Sequence, residues 1–500
     1  MAVSADPKIV IVGCGISGII AAHRLINAGF HHVRILEASV RSGGRIKTGR
    51  LGNYITDIGA GYIHGPSEEN PVFCLARDYG LLDPEALTQE SQTMVVNEDP
   101  PRALNWFSSS GQKLSAKHMS PAVEMFGELK SDMSQMKTQE GAEESQWVSE
   151  GHFIRSEALL RAGERWKDKT TRELLLCAIS TLLKKECCEQ GTHTMDDVDL
   201  AGFTMFKYLP GLDCTLPSGF EGLIENLMSE LPSGVVSYNR PVTCVHWNNM
   251  SSEANTVKVE CDDGEMIAAD HVIVTVPLGY LKRHHSTLFS PPLPPHKLKS
   301  IGKVGFGTCN KMYVEFESPW WDSHCEVIYL LWKDEWDLSV QKSDISKSWM
   351  RKIGGFIVLP PSERNSHILC GWIAGHEAEY METLTEREVR RSITELVCTF
   401  TGNPAISPKR ILRTQWFHEP WTCGSYSYPK IGCSTQDREN IMEPLPGKGS
   451  QSQPLQVLFA GEATHPSHYG TVHGAVFSGW READQLISHY SPIAQTNQNT

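Results

Sequence analysis

The chain places Gly13-Cys14-Gly15-Ile16-Ser17-Gly18 directly after Lys8-Ile9-Val10-Ile11-Val12, and no other feature limits its fold as strongly. The unbroken apolar run is the pattern of a strand covered on both faces of a parallel sheet. Ala22, Leu25 and Gly29 continue at helical spacing, and Val33-Arg34-Ile35-Leu36 reads as a second strand ending at Glu37, which makes a βαβ unit of about 30 residues. Gly13 permits the tight turn, Gly15 lets the backbone approach a pyrophosphate, and Gly18 lets helix and strand pack closely. Ile16 opens the helix whose N–H groups would meet the anion. Glu37 stands about 20 residues on, where a carboxylate accepts hydrogen bonds from a ribose. The pattern predicts one dinucleotide, FAD or NAD, because the chain contains no second GxGxxG.

With 500 residues, the chain exceeds one compact core, so two or three domains are expected. Its formal charge of −13 has the wrong sign for a phosphate-backbone binder, so no nucleic-acid partner is expected. An acidic surface permits a cationic amine substrate. The 14 cysteines are scattered without a CxxC pair, which argues against zinc ribbons and dithiol redox motifs and fits a reducing compartment. The apolar stretch 9–22 is interrupted by glycines and falls short of the ~20 residues needed to cross a bilayer, so no membrane segment is expected.

Residues 85–210 read as a separate, mostly helical segment, polar over 108–151. Strand-like runs return at 242–247, 257–260 and 272–276. Residues 443–454 read as a loop, 455–460 as a last strand, and Val476, Trp480, Ala483 and Ile487 as one stripe of a closing helix.

Three ordered motifs carry a resemblance. Arg41-Ser42-Gly43-Gly44-Arg45, Asp57-Ile58-Gly59-Ala60 and Gly461-Glu462 are similar to the boxes of the flavin-dependent amine oxidases. Ile63-His64-Gly65-Pro66-Ser67, Leu209-Pro210-Gly211-Leu212-Asp213-Cys214 and the run from Gly305 to Lys311 resemble the polyamine oxidase branch, and within it the N1-acetylpolyamine oxidases. The resemblance implies an α/β fold: a Rossmann-type FAD-binding domain from residues 1–84, 212–300 and 440–490, and an α+β substrate domain with a mixed sheet from 85–211 and 301–439. Residues 491–500 are expected to form a disordered tail.

The same resemblance implies roles for individual residues. Glu37, Gly44 and Arg45 would contact the adenosine and pyrophosphate half of FAD, and Val242 would offer backbone to adenine. Gly61 and Tyr62 would lie beside the flavin, Glu462 would hold the ribityl-phosphate region, and Thr471 and Val472 would border the ring. A helix beginning at Thr471-Val472 would stabilise the negative charge of reduced flavin. Lys311 would reach flavin N5 through a water, its pKa lowered by burial. His64 would hydrogen-bond or deprotonate a substrate amine, Glu186 would meet a distal ammonium, and Tyr426 would stand as a cage aromatic. Monoamine oxidases attach flavin through a cysteine just before that tyrosine. Here Ser425 precedes Tyr426, which implies non-covalent FAD. The second cage tyrosine aligns with Thr471. Cys309 stands where the acetylpolyamine branch carries asparagine, so Asn310 is expected to take over recognition.

The implied reaction is hydride transfer from N1-acetylspermine or N1-acetylspermidine to FAD, with dioxygen as final acceptor and hydrogen peroxide as product. Oxidation of free spermine and a non-catalytic flavin-bound scaffold stay open as alternatives. No metal is expected. A monomer is expected, in cytoplasm or peroxisome, because the chain ends Gln498-Asn499-Thr500 without a peroxisomal tripeptide.

Overall fold

A computed structural model of the chain describes residues 6–93, 103–136, 149–248, 257–339, 344–359, 367–447 and 454–491. The expected tail after Ser491 and part of the 443–454 loop lie outside the described residues.

Strand Ile9–Val12 forms the middle of a five-stranded sheet, flanked by Val33–Leu36 and His271–Val274, with Val236–Ser237 and Val457–Phe459 at the edges. Every pairing in it is parallel. Strand alternation explains the unbroken apolar run. Ile9 and Ile11 enter one core with the helix Ile16–Asn27, whereas Val10 and Val12 enter the core on the opposite face. The first face is covered by Ile16–Asn27 and the closing helix Val472–Tyr490, whose Val476 and Ala483 are fully buried. The second is covered by a four-stranded sheet of Val242–His246, Val257–Cys261, Met266–Ala269 and Phe289–Ser290.

Small residues set how close these layers come. Gly13 has φ +108°, a left-handed conformation that favours glycine. A Cβ on Gly18 would strike the Gly13 carbonyl, and one on Gly479 would strike the Ser17 carbonyl. The two helices therefore cross on glycine, with the Ser17 and Ser478 hydroxyls 3.1 Å apart.

A seven-stranded mixed sheet builds the other half, in the order Arg410–Arg413, Cys309–Glu315, Ile368–Ala374, Gly355–Val358, Val327–Leu331, Leu104–Ser108 and Gln112–Leu114. Helices Ala116–Gln135, Glu150–Arg165 and Lys169–Gln190 pack on one side. Helix Glu386–Thr401 packs on the other through Val389, Ile393, Leu396, Val397 and Phe400. The expected helical segment thus also contributes a hairpin, 104–114. Its first strand finds its parallel partner far along the chain at Val327–Leu331. The expected boundary at 440 falls inside helix Thr435–Met442, which packs on Pro295–Lys303 with Ser300 Oγ 2.9 Å from Asp437 Oδ1.

The Gly18→Ala substitution should destabilise the protein by at least ~1–3 kcal/mol, since the methyl group must displace backbone. Urea unfolding followed by circular dichroism would show the midpoint fall with an unchanged slope.

Candidate active site

Both halves contribute walls to one cavity of about 650 Å³, in the middle of the range for small-molecule sites. Its nucleotide end is lined by Gly13, Gly15, Ile16, Glu37, Gly44, Arg45 and Val242. Gly18 is absent from the lining and serves packing. A Cβ on Gly15 would have no atom within 4 Å, so its open side is room on the cavity rather than a packing contact. Glu37 is buried at the end of its strand, where it accepts from Cys14 N and Ser39 N, each at 2.8 Å, and from Ser39 Oγ at 2.7 Å. A carboxylate has about four lone-pair sites, so capacity remains for a ribose hydroxyl.

In the middle of the cavity Arg45 Nη1 donates to Glu462 Oε1 at 2.8 Å and to the Ser425 carbonyl at 2.9 Å. Glu462 also accepts from Ser427 Oγ and Gly470 N, both at 2.6 Å. Burial pushes the Glu462 pKa up, but Arg45 and these donors outweigh it and hold the carboxyl below its usual range. The closing helix starts at the lining, where Thr471 caps it by accepting from Gly474 N at 3.0 Å. Its positive end therefore faces the space beside Thr471 and Val472.

At the far end Lys311 Nζ donates to the carbonyls of Asp57 and Gly59, each at 2.7 Å. An ammonium has three donors, which leaves one for the cavity. Burial lowers the Lys311 pKa, and the nearby Asp57 only partly offsets this. A Cβ on Gly61 would stand 3.1 Å from Lys311 Nζ, so a bare backbone gives the lysine its place. Tyr62, Trp372 and Tyr426 form aromatic walls here, with Tyr62 and Trp372 edge to face at 6.5 Å. His64 opens on the same space with Nδ1 2.6 Å from Asp213 Oδ2. Burial depresses the His64 pKa, yet the bond and charge of Asp213 more than reverse that, and the net shift is upward.

Two expectations are corrected. Glu186 does not line the cavity; its buried carboxylate takes Lys130 Nζ at 3.0 Å. Glu189, about one helical turn on, reaches the lining instead. Burial raises the Glu189 pKa, but Lys185 and Lys130 bring it down to about 2, so it is ionised. Asn310 also faces away. Strand alternation sends Cys309 and Lys311 to the cavity, whereas Asn310 Nδ2 donates to Glu382 Oε1 at 2.7 Å and its Oδ1 accepts from Thr414 Oγ1 at 2.8 Å. Sequence reasoning missed Asp213 as the partner of His64, and missed Ser427 and Trp372. The polar residue of Leu212-Asp213-Cys214 was the available signal for the first.

The chain matches the family described as flavin containing amine oxidoreductase over residues 16–487. It is 42% identical to the peroxisomal N(1)-acetyl-spermine/spermidine oxidase of Bos taurus over 98% of this chain and 96% of the relative. The Homo sapiens protein of the same name matches with the same identity and coverage. A probable polyamine oxidase of Arabidopsis thaliana is 30% identical over 97% of this chain and 98% of its own. In fold, a redesigned putrescine oxidase is similar, with TM-score 0.64 and 18% identity, covering 98% of this chain and 100% of that one.

The groups present fit a flavin dinucleotide: an open glycine cradle, a Glu37 carboxylate with one acceptor site left, a guanidinium and a helix N-terminus in one line of walls. The fit predicts that Gly15→Ala leaves the cofactor-free protein's melting temperature unchanged, because the methyl group meets nothing. Affinity for the dinucleotide should fall at least about tenfold, read by titration of the stripped protein, as the pyrophosphate loses its close backbone approach. Sequence, fold and cavity agree: the chain belongs to the flavin containing amine oxidoreductase family, and its cofactor is FAD.

Proposed function

We propose that this protein oxidises N1-acetylated polyamines, N1-acetylspermine and N1-acetylspermidine, giving spermidine or putrescine, 3-acetamidopropanal and hydrogen peroxide. The observation that carries the reading is the far end of the cavity. There a buried lysine, aromatic walls and an ionised carboxylate line one passage. The relatives named for N(1)-acetyl-spermine/spermidine oxidation add support at 42% identity.

Bound FAD supplies a hydride acceptor and delivers the electron pair to dioxygen. The protein's own groups select and orient the amine. Tyr62, Trp372 and Tyr426 give slender methylene chains an apolar, π-rich wall. Glu189 offers negative charge to an ammonium remote from the reacting carbon. Asp213 fixes Nδ1 of His64, so the nitrogen available for a substrate proton is Nε2. Lys311 Nζ, anchored to two carbonyls, gives up its proton more readily than a solvated lysine because its charged form is disfavoured by burial. Glu189 also supports a second reading, oxidation of free spermine, whose terminal ammonium would pair with it. A peroxisomal or cytosolic monomer that binds neither membrane nor nucleic acid completes the proposal.

Peroxide release across a substrate panel decides between these readings. The proposal expects kcat/KM for N1-acetylspermine to exceed that for spermine by at least about tenfold, with simple monoamines and amino acids inactive. A preference for spermine selects the second reading, and no turnover contradicts both. A neutral amine is the better hydride donor, so kcat/KM should rise with pH until the substrate nitrogen is deprotonated; a flat profile contradicts this. In Lys311→Met, dioxygen consumption by the amine-reduced enzyme should slow by about 100-fold, and an unchanged rate removes the lysine from proton exchange.

A further inference from the structure

We propose that Arg438 is a positioning residue of the FAD site: through Ser427 and the segment 462–470 it fixes the Glu462 carboxylate that faces the bound dinucleotide. Arg438 sits in the middle of helix Thr435–Met442 and is fully buried. The helix is itself held at its C-terminal end, where the buried Lys297 Nζ donates to the carbonyls of Asn440 at 2.7 Å, Ile441 at 2.9 Å and Glu443 at 2.7 Å. Neither Arg438 nor Ser427 lines the cavity, whereas Glu462 does. Any effect of the first two on a bound molecule therefore passes through Glu462.

The hydrogens give the path one direction. A guanidinium has no acceptor, so Arg438 Nη1 donates to Ser427 Oγ at 3.0 Å, and the single serine hydrogen is left for Glu462 Oε2 at 2.6 Å. Arg438 Nη1 also donates to the Ala463 carbonyl at 3.0 Å, directly after Glu462. The guanidinium stands over the Tyr469 ring, 3.8 Å from its centroid and directly before Gly470. One side chain thus grips both ends of the segment 462–470, whose Gly470 N returns to Glu462 Oε2 at 2.6 Å. Of about four lone-pair sites on a carboxylate, Arg45 Nη1, Ser427 Oγ and Gly470 N take three, which leaves one for the cavity.

Packing alone does not account for a cation here. Arg438 Nε and Nη2 have no hydrogen-bond partner among the described residues, and an apolar side chain of similar volume would fill the space without the cost of desolvating a charge. What the charge meets is Glu462, flanked by Arg45 from the glycine-rich loop and by Arg438, through Ser427, from helix Thr435–Met442. Burial alone would raise the Glu462 pKa; Arg45, Ser427 and Arg438 turn it downward. Loss of Arg438 or of the Ser427 hydroxyl therefore raises it. A protonated carboxyl exchanges an acceptor site for a donor and leaves Arg45 without its counter-ion, so the hold on FAD weakens as pH falls. The other titratable groups facing Arg438 are silent in mildly acid solution. Burial, ahead of the neighbouring cations, brings His465 down to about 3, and it raises Tyr469 and Cys433.

The test dilutes FAD-loaded parent, Arg438→Gln and Ser427→Ala in the absence of amine and follows flavin release by its fluorescence from about pH 5.5 to about pH 8. The parent should release FAD at a rate constant within about twofold across this range, because its Glu462 stays ionised. Each variant should release FAD at least about fivefold faster at the acid end than at the alkaline end. Ser427→Ala leaves the guanidinium in place and cuts its path to Glu462, so it decides the matter where Arg438→Gln does not fold. Variants that release FAD as slowly as the parent overturn the proposal. So do variants that release it faster by one factor at every pH, as a loss of packing alone would. Because no amine is present, a failure of the substrate assignment would show separately, in the panel above.

Discussion

The site depends on the ion pair of Arg45 and Glu462. Arg45 belongs to the glycine-rich loop after the second strand, Glu462 follows the last strand, and the Ser425 carbonyl that shares the guanidinium comes from the segment entering strand Tyr426–Tyr428. One side chain therefore joins three distant stretches of polypeptide at the middle of the cavity. A buried pair gains little on balance against its desolvation, but removing one partner leaves a charge uncompensated at a cost of about 3–5 kcal/mol. Ser427 Oγ and Gly470 N complete the shell around the carboxylate.

From this junction the two ends of the cavity diverge in chemistry. Toward the nucleotide the walls are backbone, with Gly13 and Gly15 held in a turn that a side chain would spoil or fill. Toward the amine the walls are side chains, and each is held by a second group: Lys311 by two carbonyls, His64 by Asp213, Tyr426 by the Cys188 carbonyl. Rigid placement lowers the entropic cost of aligning a flexible polyamine with the reacting centre.

Local signals made much of this legible in sequence. The run from Lys8 to Gly18 is read by its own immediate neighbours, and its strand, turn and helix appear in the structure with the spacing implied. Phase was harder. Asn310 sits between two cavity-facing residues, and the pleat turns it toward Glu382. Nothing in its chemical type discloses which face a strand presents. Glu186 and Glu189 differ by a turn on one helix, and their division of labour is set by Lys130 on another. The hairpin 104–114 was hidden for a similar reason: its strand is stabilised by Val327–Leu331, a partner that no local pattern reveals.

At the centre of the account is an FAD clasped non-covalently between the N-terminal glycine loop and the segment around Glu462. The most direct measurement is the visible absorption of the purified protein, followed by acid precipitation and filtration. The account predicts a yellow protein whose colour passes entirely into the filtrate as FAD. A protein that stays colourless after incubation with excess FAD would contradict it, as would colour that remains attached to the precipitated chain.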